Sequence, residues 1–416
     1  KEAWARRKIL RRQPGKSSAG SKACPPCAGW KPVFNPRRAA VKPGLSVAVR
    51  LTVWKEIDVM AEKKVRVAFL GFWHSHACTN EEIQFTGLGV YGTVKANPEV
   101  EVAVAWDYDV QRGKEGADSL GIPFEPDLEK VLSREDIDGV VVMCETTKHV
   151  EVCVRAAQHK KHIYVNKVLA PTIHEANQIV KAARENNIVM VTMLSRLYEN
   201  WCKKIYEIIR SGDLGRLIMI RIWHAHGIAT KYYPTDGMGY LPDGHGFLEK
   251  EDGAGGCYVD MCHPQYMAAY FMEGLPKTIY SRMSSVTGRG NIEDNAIALL
   301  DYENGPYVTL EEGWACGPVT TEIEVQGTDG TVLYRDDRSD RDFDYFAVRS
   351  GDDPKFRRIS VEPAVFTPLE DWIARVRNGE IPEENMARAL DLSRLNEAAY
   401  RSAQSHQPVA LDTLEE

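Results

Sequence analysis

Five short apolar runs, at residues 65–71, 100–106, 139–143, 162–165 and 188–193, alternate with helical stretches, and this alternation limits the fold more than any other feature of the chain. Strands joined through helices run parallel, and a parallel sheet must be covered on both faces. An α/β domain with a doubly wound, Rossmann-like sheet is therefore expected over residues 60–185, including a helix over 173–186 after Ala170-Pro171-Thr172. Later runs, at 217–225, 277–285, 296–302, 307–314 and 320–326, follow one another through turn residues such as Glu303-Asn304-Gly305. Strands that succeed each other without helices imply a mostly antiparallel sheet. Residues 186–416 are thus expected to form a second, α+β domain for substrate binding and oligomerisation. Its last helices are candidates to pack back on the first domain.

Residues 1–59 differ from the rest. They carry 14 Lys and Arg against 3 Asp and Glu, a balance of +11, which leaves −18 for residues 60–416. This basic stretch, rich in Pro and Gly, lacks sustained periodicity and is expected to be disordered or a non-native extension ahead of Met60. It has no aromatic interleaving, so no nucleic-acid partner is expected. Arg11-Arg12 is followed by Gln-Pro-Gly-Lys-Ser-Ser instead of an apolar core, which argues against an export signal. No run of 18 apolar residues occurs, so no membrane partner is expected. Nine scattered cysteines suit free thiols in a cytoplasmic protein, and Cys24-Pro25-Pro26-Cys27 lacks the βαβ surroundings of a redox motif.

Gly71-Phe72-Trp73-His74-Ser75-His76 follows the first strand directly, where a Gly-rich turn would bring backbone N–H groups to a pyrophosphate at a helix N-terminus. Only the first glycine of the usual three is present; Trp73 and His76 take the other places, so the pyrophosphate contact must be arranged differently. Gly87-Leu88-Gly89-Val90-Tyr91-Gly92 matches the glycine spacing but no strand precedes it, which makes it a decoy. Asp107 ends the second strand, where a carboxylate accepts a hydrogen bond from the adenosine ribose and repels a 2′-phosphate. NAD is expected over NADP. A capping aspartate is the plain alternative, and Asp109 competes for the ribose role.

The strand at 162–165 ends in Asn166-Lys167-Val168. A lysine at the end of a buried strand loses water, which suggests proton work, although a lysine capping a sheet edge is the plain alternative. Ile208 to Leu217, Ile292-Glu293-Asp294-Asn295-Ala296 and Val325-Gln326-Gly327-Thr328-Asp329-Gly330 stand in order after it. Together these segments resemble the glucose-fructose oxidoreductase / inositol dehydrogenase family, Gfo/Idh/MocA, over about residues 64–400. The family's Glu-Lys-Pro becomes Asn166-Lys167-Val168 here. Its Asp-x-x-x-His signature after a glycine cluster is matched by Gly253-Ala254-Gly255-Gly256 and the shorter Asp260-Met261-Cys262-His263. Residues i and i+3 of one helix share a face, so both side chains are expected to meet one substrate.

The resemblance implies an NAD-dependent oxidoreductase moving a hydride between nicotinamide and a secondary hydroxyl of a sugar, inositol or glycoside. Such chemistry needs a base within reach of the hydroxyl. Lys167 and His263 are the candidates, with His263 placed first, Lys167 expected to have a lowered pKa, and Asp260 orienting either. A core histidine is the plain reading of His263. By the same resemblance Gly71, Phe72, Trp73, His76, Asp107, Thr146, Thr147, His149 and Asn166 belong to the cofactor, and Arg196 to the substrate. His224 and His226 alternate on one strand, so they share a face, either toward the sugar or as plain strand-face histidines, and Tyr240 belongs to an aromatic, Gly-rich insertion suited equally to a sugar ring or to a dimer contact. These histidines lack compact ligand spacing, so no metal is expected. Two other readings remain: redox-neutral glycoside cleavage with tightly bound NAD, and a catalytically inactive nucleotide sensor. A homodimer or homotetramer through the antiparallel sheet is expected.

Overall fold

The computed structural model describes residues 63–74, 89–227, 229, 253, 255–288, 291–303, 305–315, 320–337, 342 and 344–414. His76, Tyr240, the basic stretch at 1–59 and the first two residues of the glycine decoy, Gly87 and Leu88, lie outside the described residues. All described residues belong to one compact unit, Ala61–Glu416.

The first layer system holds β1 (Val65–Leu70), α1 (Val90–Ala96), β2 (Val100–Trp106), α2 (Val110–Leu120), α3 (Leu128–Leu132), β3 (Gly139–Val142), α4 (His149–Gln158), β4 (His162–Val165), α5 (Ile173–Glu185) and β5 (Met190–Thr192). Its five strands pair in parallel in the order β2-β1-β3-β4-β5. The strands are buried on both faces, as helices on two sides require. β5 belongs to this sheet, so the parallel layer runs to Thr192, past the boundary expected at 185. Strand order reverses between β1 and β3, and the crevice outside their C-terminal ends is where α/β sheets take ligands.

The second half holds α6 (Asn200–Ser211), β6 (Leu217–Ala225), α7 (Cys257–Asp260), α8 (His263–Met272), β7 (Thr278–Ser284), β8 (Asn295–Asp301), β9 (Tyr307–Gly313), β10 (Thr320–Gly327), β11 (Gly330–Asp337), β12 (Tyr345–Ser350), β13 (Arg357–Arg358), α9 (Pro368–Asn378), α10 (Glu383–Ser405) and β14 (Val409–Ala410). Nine strands form one sheet in the order β13-β12-β11-β10-β6-β9-β8-β7-β14. Every pair is antiparallel except β6 with β9. β8 alternates strictly between exposed and buried residues, the period-2 pattern of a half-covered sheet.

α10 ties the halves together. Its Glu397 accepts the Ile173 N–H at 2.8 Å, and Ser393 donates to the Ala170 carbonyl at 3.0 Å. Asn385 exchanges two bonds with the backbone of Thr192. On its other side Ser281 of β7 donates to the Ala399 carbonyl. The loop after β4 is thereby fixed against the helices ahead of β7.

Candidate active site

Gly71 has φ +99°, and a Cβ there would stand 2.4 Å from the Cys144 backbone nitrogen. Only glycine lets the turn after β1 press this closely on the loop after β3. The glycine cluster ahead of α7 has a similar cause, since a Cβ on Gly256 would sit 2.0 Å from the Glu293 carbonyl oxygen. That approach lets the Glu293 carboxylate accept the N–H groups of Gly256 at 2.8 Å and Tyr258 at 3.2 Å, together with the Tyr400 hydroxyl. Asp294 in turn accepts the N–H groups of Val286 and Thr287. Glu293 therefore fixes the segment that carries Asp260, and Asp294 fixes the turn after β7.

Lys167 and Asp260 meet across the two halves. The Lys167 ammonium donates to the Asp260 carbonyl and lies 3.2 Å from its Oδ1. Asp260 Oδ2 accepts from the Trp314 indole at 3.0 Å and is 3.3 Å from His226 Nε2. His74 Nε2 stands 3.8 Å from Oδ1. Trp73, His74, Thr146, Lys167, Asp260 and Trp314 line one small cleft. Burial opposes ionisation of Asp260, but Lys167 and then His226 and His74 hold its pKa well below the usual carboxylate range. Burial likewise opposes charge on Lys167, yet Asp260, Cys262 and Glu312 leave its pKa raised. A lowered lysine pKa is expected from desolvation beside a cationic nicotinamide; among the protein groups alone the adjoining carboxylate outweighs desolvation.

Asp260 and His263 do not share one helix. Asp260 ends α7 and His263 begins α8, with Pro264 at the first turn of the new helix. Asp260 consequently orients Lys167 and His226, while His263 Nδ1 is 2.6 Å from the Tyr266 hydroxyl. Burial, Arg196, His224 and Lys167 push the His263 pKa well down, against Asp260, so the imidazole is neutral. His224 lies edge-on to His263, ring centroids 5.1 Å apart, with Nδ1 2.9 Å from Thr321 Oγ1. Arg196 is buried and its Nε makes no hydrogen bond among the described residues. His224, His226, Arg196, Lys167, Asp260 and His263 are therefore brought to one region.

The cofactor-side residues divide. Thr146 faces the cleft, with half-buried Thr147 beside it in the turn after β3. Buried Asn166 holds the loop by donating its N–H to the Val142 carbonyl at 3.1 Å. His149 departs from expectation: it is fully buried, with Nδ1 3.1 Å from the carbonyls of both Val168 and Leu169. Burial lowers its pKa to about 4, so it is a neutral clamp on the Lys167 loop, and its Nε2 makes no hydrogen bond among the described residues. Asp107 departs as well. Its carboxylate accepts the Phe72 N–H at 2.6 Å and the Asp109 N–H at 2.9 Å and pairs with Arg112 at 2.5 and 3.0 Å. Arg112 also bonds Glu145 at 2.5 Å. The group that covers the carboxylate at the end of β2 is the half-buried bridging guanidinium of Arg112, because both carboxylate oxygens are already engaged. Asp109 caps α2, its Oδ1 accepting the Gln111 and Arg112 N–H groups.

His74, Trp314 and Tyr266 were not singled out by sequence reasoning. The signal for Tyr266 was its i+3 spacing from His263; His74 and Trp314 gave none beyond following a strand. No group of three or more His, Cys, Asp or Glu suited to a metal occurs among the described residues.

Residues 84–193 match the oxidoreductase family with an NAD-binding Rossmann fold, and residues 202–333 match the GFO/IDH/MocA C-terminal domain. The chain belongs to the Gfo/Idh/MocA family. It is 23% identical over 350 residues to the myo-inositol 2-dehydrogenase of Thermotoga maritima, covering 78% of this chain and 97% of that one. It is 22% identical over 253 residues to the 2,7-anhydro-N-acetylneuraminate hydratase of Escherichia coli, covering 59% of this chain and 65% of that one. A crystal structure of a putative NADPH-dependent oxidoreductase from Desulfitobacterium hafniense superposes with a TM-score of 0.68 at 19% identity, covering 85% of this chain and 99% of that one. This last likeness is one of fold.

A dinucleotide fits the switch-point crevice in one respect that the structure itself provides: the close approach forced by Gly71 leaves the turn after β1 facing the loop of Thr146 and Thr147. Gly71, Trp73, Thr146 and Thr147 would hold it, whereas the Phe72 N–H is taken by Asp107 and the Phe72 ring lies in the core.

Proposed function

We propose that this chain is a nicotinamide-dependent oxidoreductase that interconverts a secondary hydroxyl and a carbonyl on a sugar, inositol or glycoside. The observation that carries this reading is the buried Lys167–Asp260 pair in a cleft beside the nucleotide crevice, with neutral His263 near it. Bound NAD would supply the hydride acceptor. Lys167 and His263 would hold the reacting oxygen, and Asp260 would keep Lys167 charged and aimed. Arg196, His224 and His226 would meet the remaining hydroxyls, an arrangement suited to a polyol. A sensor needs no such charged pair, which counts against the inactive reading.

NAD is preferred over NADP because one guanidinium, Arg112, already faces two carboxylates, Asp107 and Glu145. A 2′-phosphate would meet net negative charge. Redox-neutral cleavage stays as a second reading on one observation: His226 is paired with Asp260 separately from His263, which supplies a further acid-base group. Association through the nine-stranded sheet is supported by the exposed Ile218, Ile297, Leu299 and Tyr307 on β6, β8 and β9.

A panel of polyols, inositols and glycosides with NAD and NADP, followed by absorbance of the reduced nicotinamide, tests the reading. Reduction of NAD by at least one polyol is expected. Product release without net reduced cofactor would favour the second reading, and no turnover with either cofactor would remove both.

A further inference from the structure

Tyr266 is buried on α8, and its hydroxyl oxygen accepts the Arg196 N–H at 3.2 Å. The same hydroxyl is 2.6 Å from His263 Nδ1. Burial raises the phenol pKa, with Arg196 opposing and Cys262 and Cys202 adding to it, so Tyr266 keeps its proton. A backbone N–H only donates. The phenol proton therefore has a single acceptor among the described residues, His263 Nδ1. Placing a hydrogen on Nδ1 instead would leave a buried O–H with no acceptor, which folded proteins avoid. A neutral imidazole carries one hydrogen, and it must then sit on Nε2.

We infer that Tyr266 is a positioning residue that fixes His263 as the Nε2–H form, so that His263 and the Lys167 ammonium both offer donors to the reacting oxygen and Lys167 carries the transferred proton. The inference rests on the proposed oxidoreductase reading and gives it a substrate form: the resting site is built to receive a carbonyl, a keto-sugar or keto-inositol. In reduction, bound reduced nicotinamide would supply the hydride to the carbonyl carbon as the C=O π bond opens. The oxygen takes a proton from Lys167 Nζ. The products are an alcohol, oxidised nicotinamide and neutral lysine, which regains a proton from solvent, while His263 keeps its own. Oxidation is the reverse and needs neutral Lys167.

The groups around the pair agree with this division. Arg196 past β5, His224 on β6 and Lys167 past β4 all disfavour imidazolium at His263, and Asp260 on α7 alone favours it. Asp260, Cys262 and Glu312 favour the ammonium at Lys167.

Two measurements on the whole protein test the inference. In ¹⁵N-histidine NMR, with His263 assigned by its loss in His263→Gln, the expected spectrum has Nδ1 unprotonated and Nε2 protonated at neutral pH. Protonation of Nδ1 would overturn it, and this readout does not depend on turnover. In steady-state assays, oxidative kcat/KM should rise about tenfold per pH unit between about pH 7 and about pH 9 while reductive kcat/KM stays flat. A flat oxidative profile over that span would make His263 the base and overturn the inference. Tyr266→Phe should release Nδ1 and lessen the oxidative slope; an unchanged slope with only lower amplitude would mean a packing role and would also overturn it. Lack of turnover with every substrate would instead remove the proposed function, with the NMR spectrum still deciding the tautomer.

Discussion

Two charge clusters, one at Asp260 and one at Arg112, use the same residue types in opposite proportion. At Asp260 one carboxylate receives Lys167, His226 and the Trp314 indole, with His74 nearby. At Arg112 one guanidinium is shared by two carboxylates, Asp107 and Glu145. A carboxylate surrounded by donors keeps a cation charged and aimed into a cleft, which serves chemistry. A cation enclosed by carboxylates has its charge spent locally, which serves selection. On the proposed function, proportion more than residue type separates the chemical centre from the cofactor filter.

The sharpest way to break this contrast is to unbalance the first cluster. Asp260→Asn should cost about 10²- to 10⁴-fold in turnover, since Lys167 loses what keeps it charged and placed. It should also lower stability by about 3–5 kcal/mol, because a buried cation is left uncompensated. Denaturant unfolding beside steady-state assays reads both losses, and intact turnover would make Asp260 a bystander. The second cluster should respond in selectivity instead. Asp107→Ser combined with Glu145→Gln frees Arg112 and should shift the ratio of kcat/KM for NADP over NAD upward by about 10- to 100-fold, on the scale of one charged contact. An unchanged ratio would show that Arg112 does not face the 2′ position.

A smaller effect tests the clamp beneath Lys167. The His149 pKa of about 4 lies below the ordinary value of about 6.5 for an unfolded histidine. The unfolded chain binds the extra proton between those values, so the stability from neutral His149 is fully present above about pH 6.5. It is lost as pH falls toward about 4, by up to about 3 kcal/mol. Thermal or urea unfolding over that span should flatten in His149→Gln; an identical slope would exclude the clamp. Smallest in its effect on turnover is the sheet face, where Ile297→Lys with Leu299→Lys should reduce association measured by light scattering while leaving the fold intact.

Much of the architecture was legible because strand runs such as 162–165 and 217–225 are apolar, β-branched and bounded by turn residues. Lys167 was legible for the same reason, as a charge placed where such a run ends. Its protonation state was not, since the charge on Lys167 depends on Asp260, 93 positions away and brought near by the packing of α10 on both halves. Asp107 illustrates the opposite error. Its place at the end of β2 was read correctly, but Arg112, one turn into α2, reaches back and occupies it. His263 was assigned to the helix of Asp260 although Pro264 signals a new start, a local cue that the motif spacing overrode. His74 and Trp314 emerge only in three dimensions, because nothing near them in sequence marks their approach to Asp260.

The most direct test of the central claim compares wild type with Lys167→Met at saturating NAD, using a polyol that the panel shows to be oxidised. Reduced nicotinamide is followed by absorbance, and NAD affinity by quenching of tryptophan fluorescence. A drop in turnover of about 10²- to 10⁴-fold with NAD affinity held within about twofold is expected if the Lys167–Asp260 pair is the chemical centre. Wild-type turnover in Lys167→Met would contradict it.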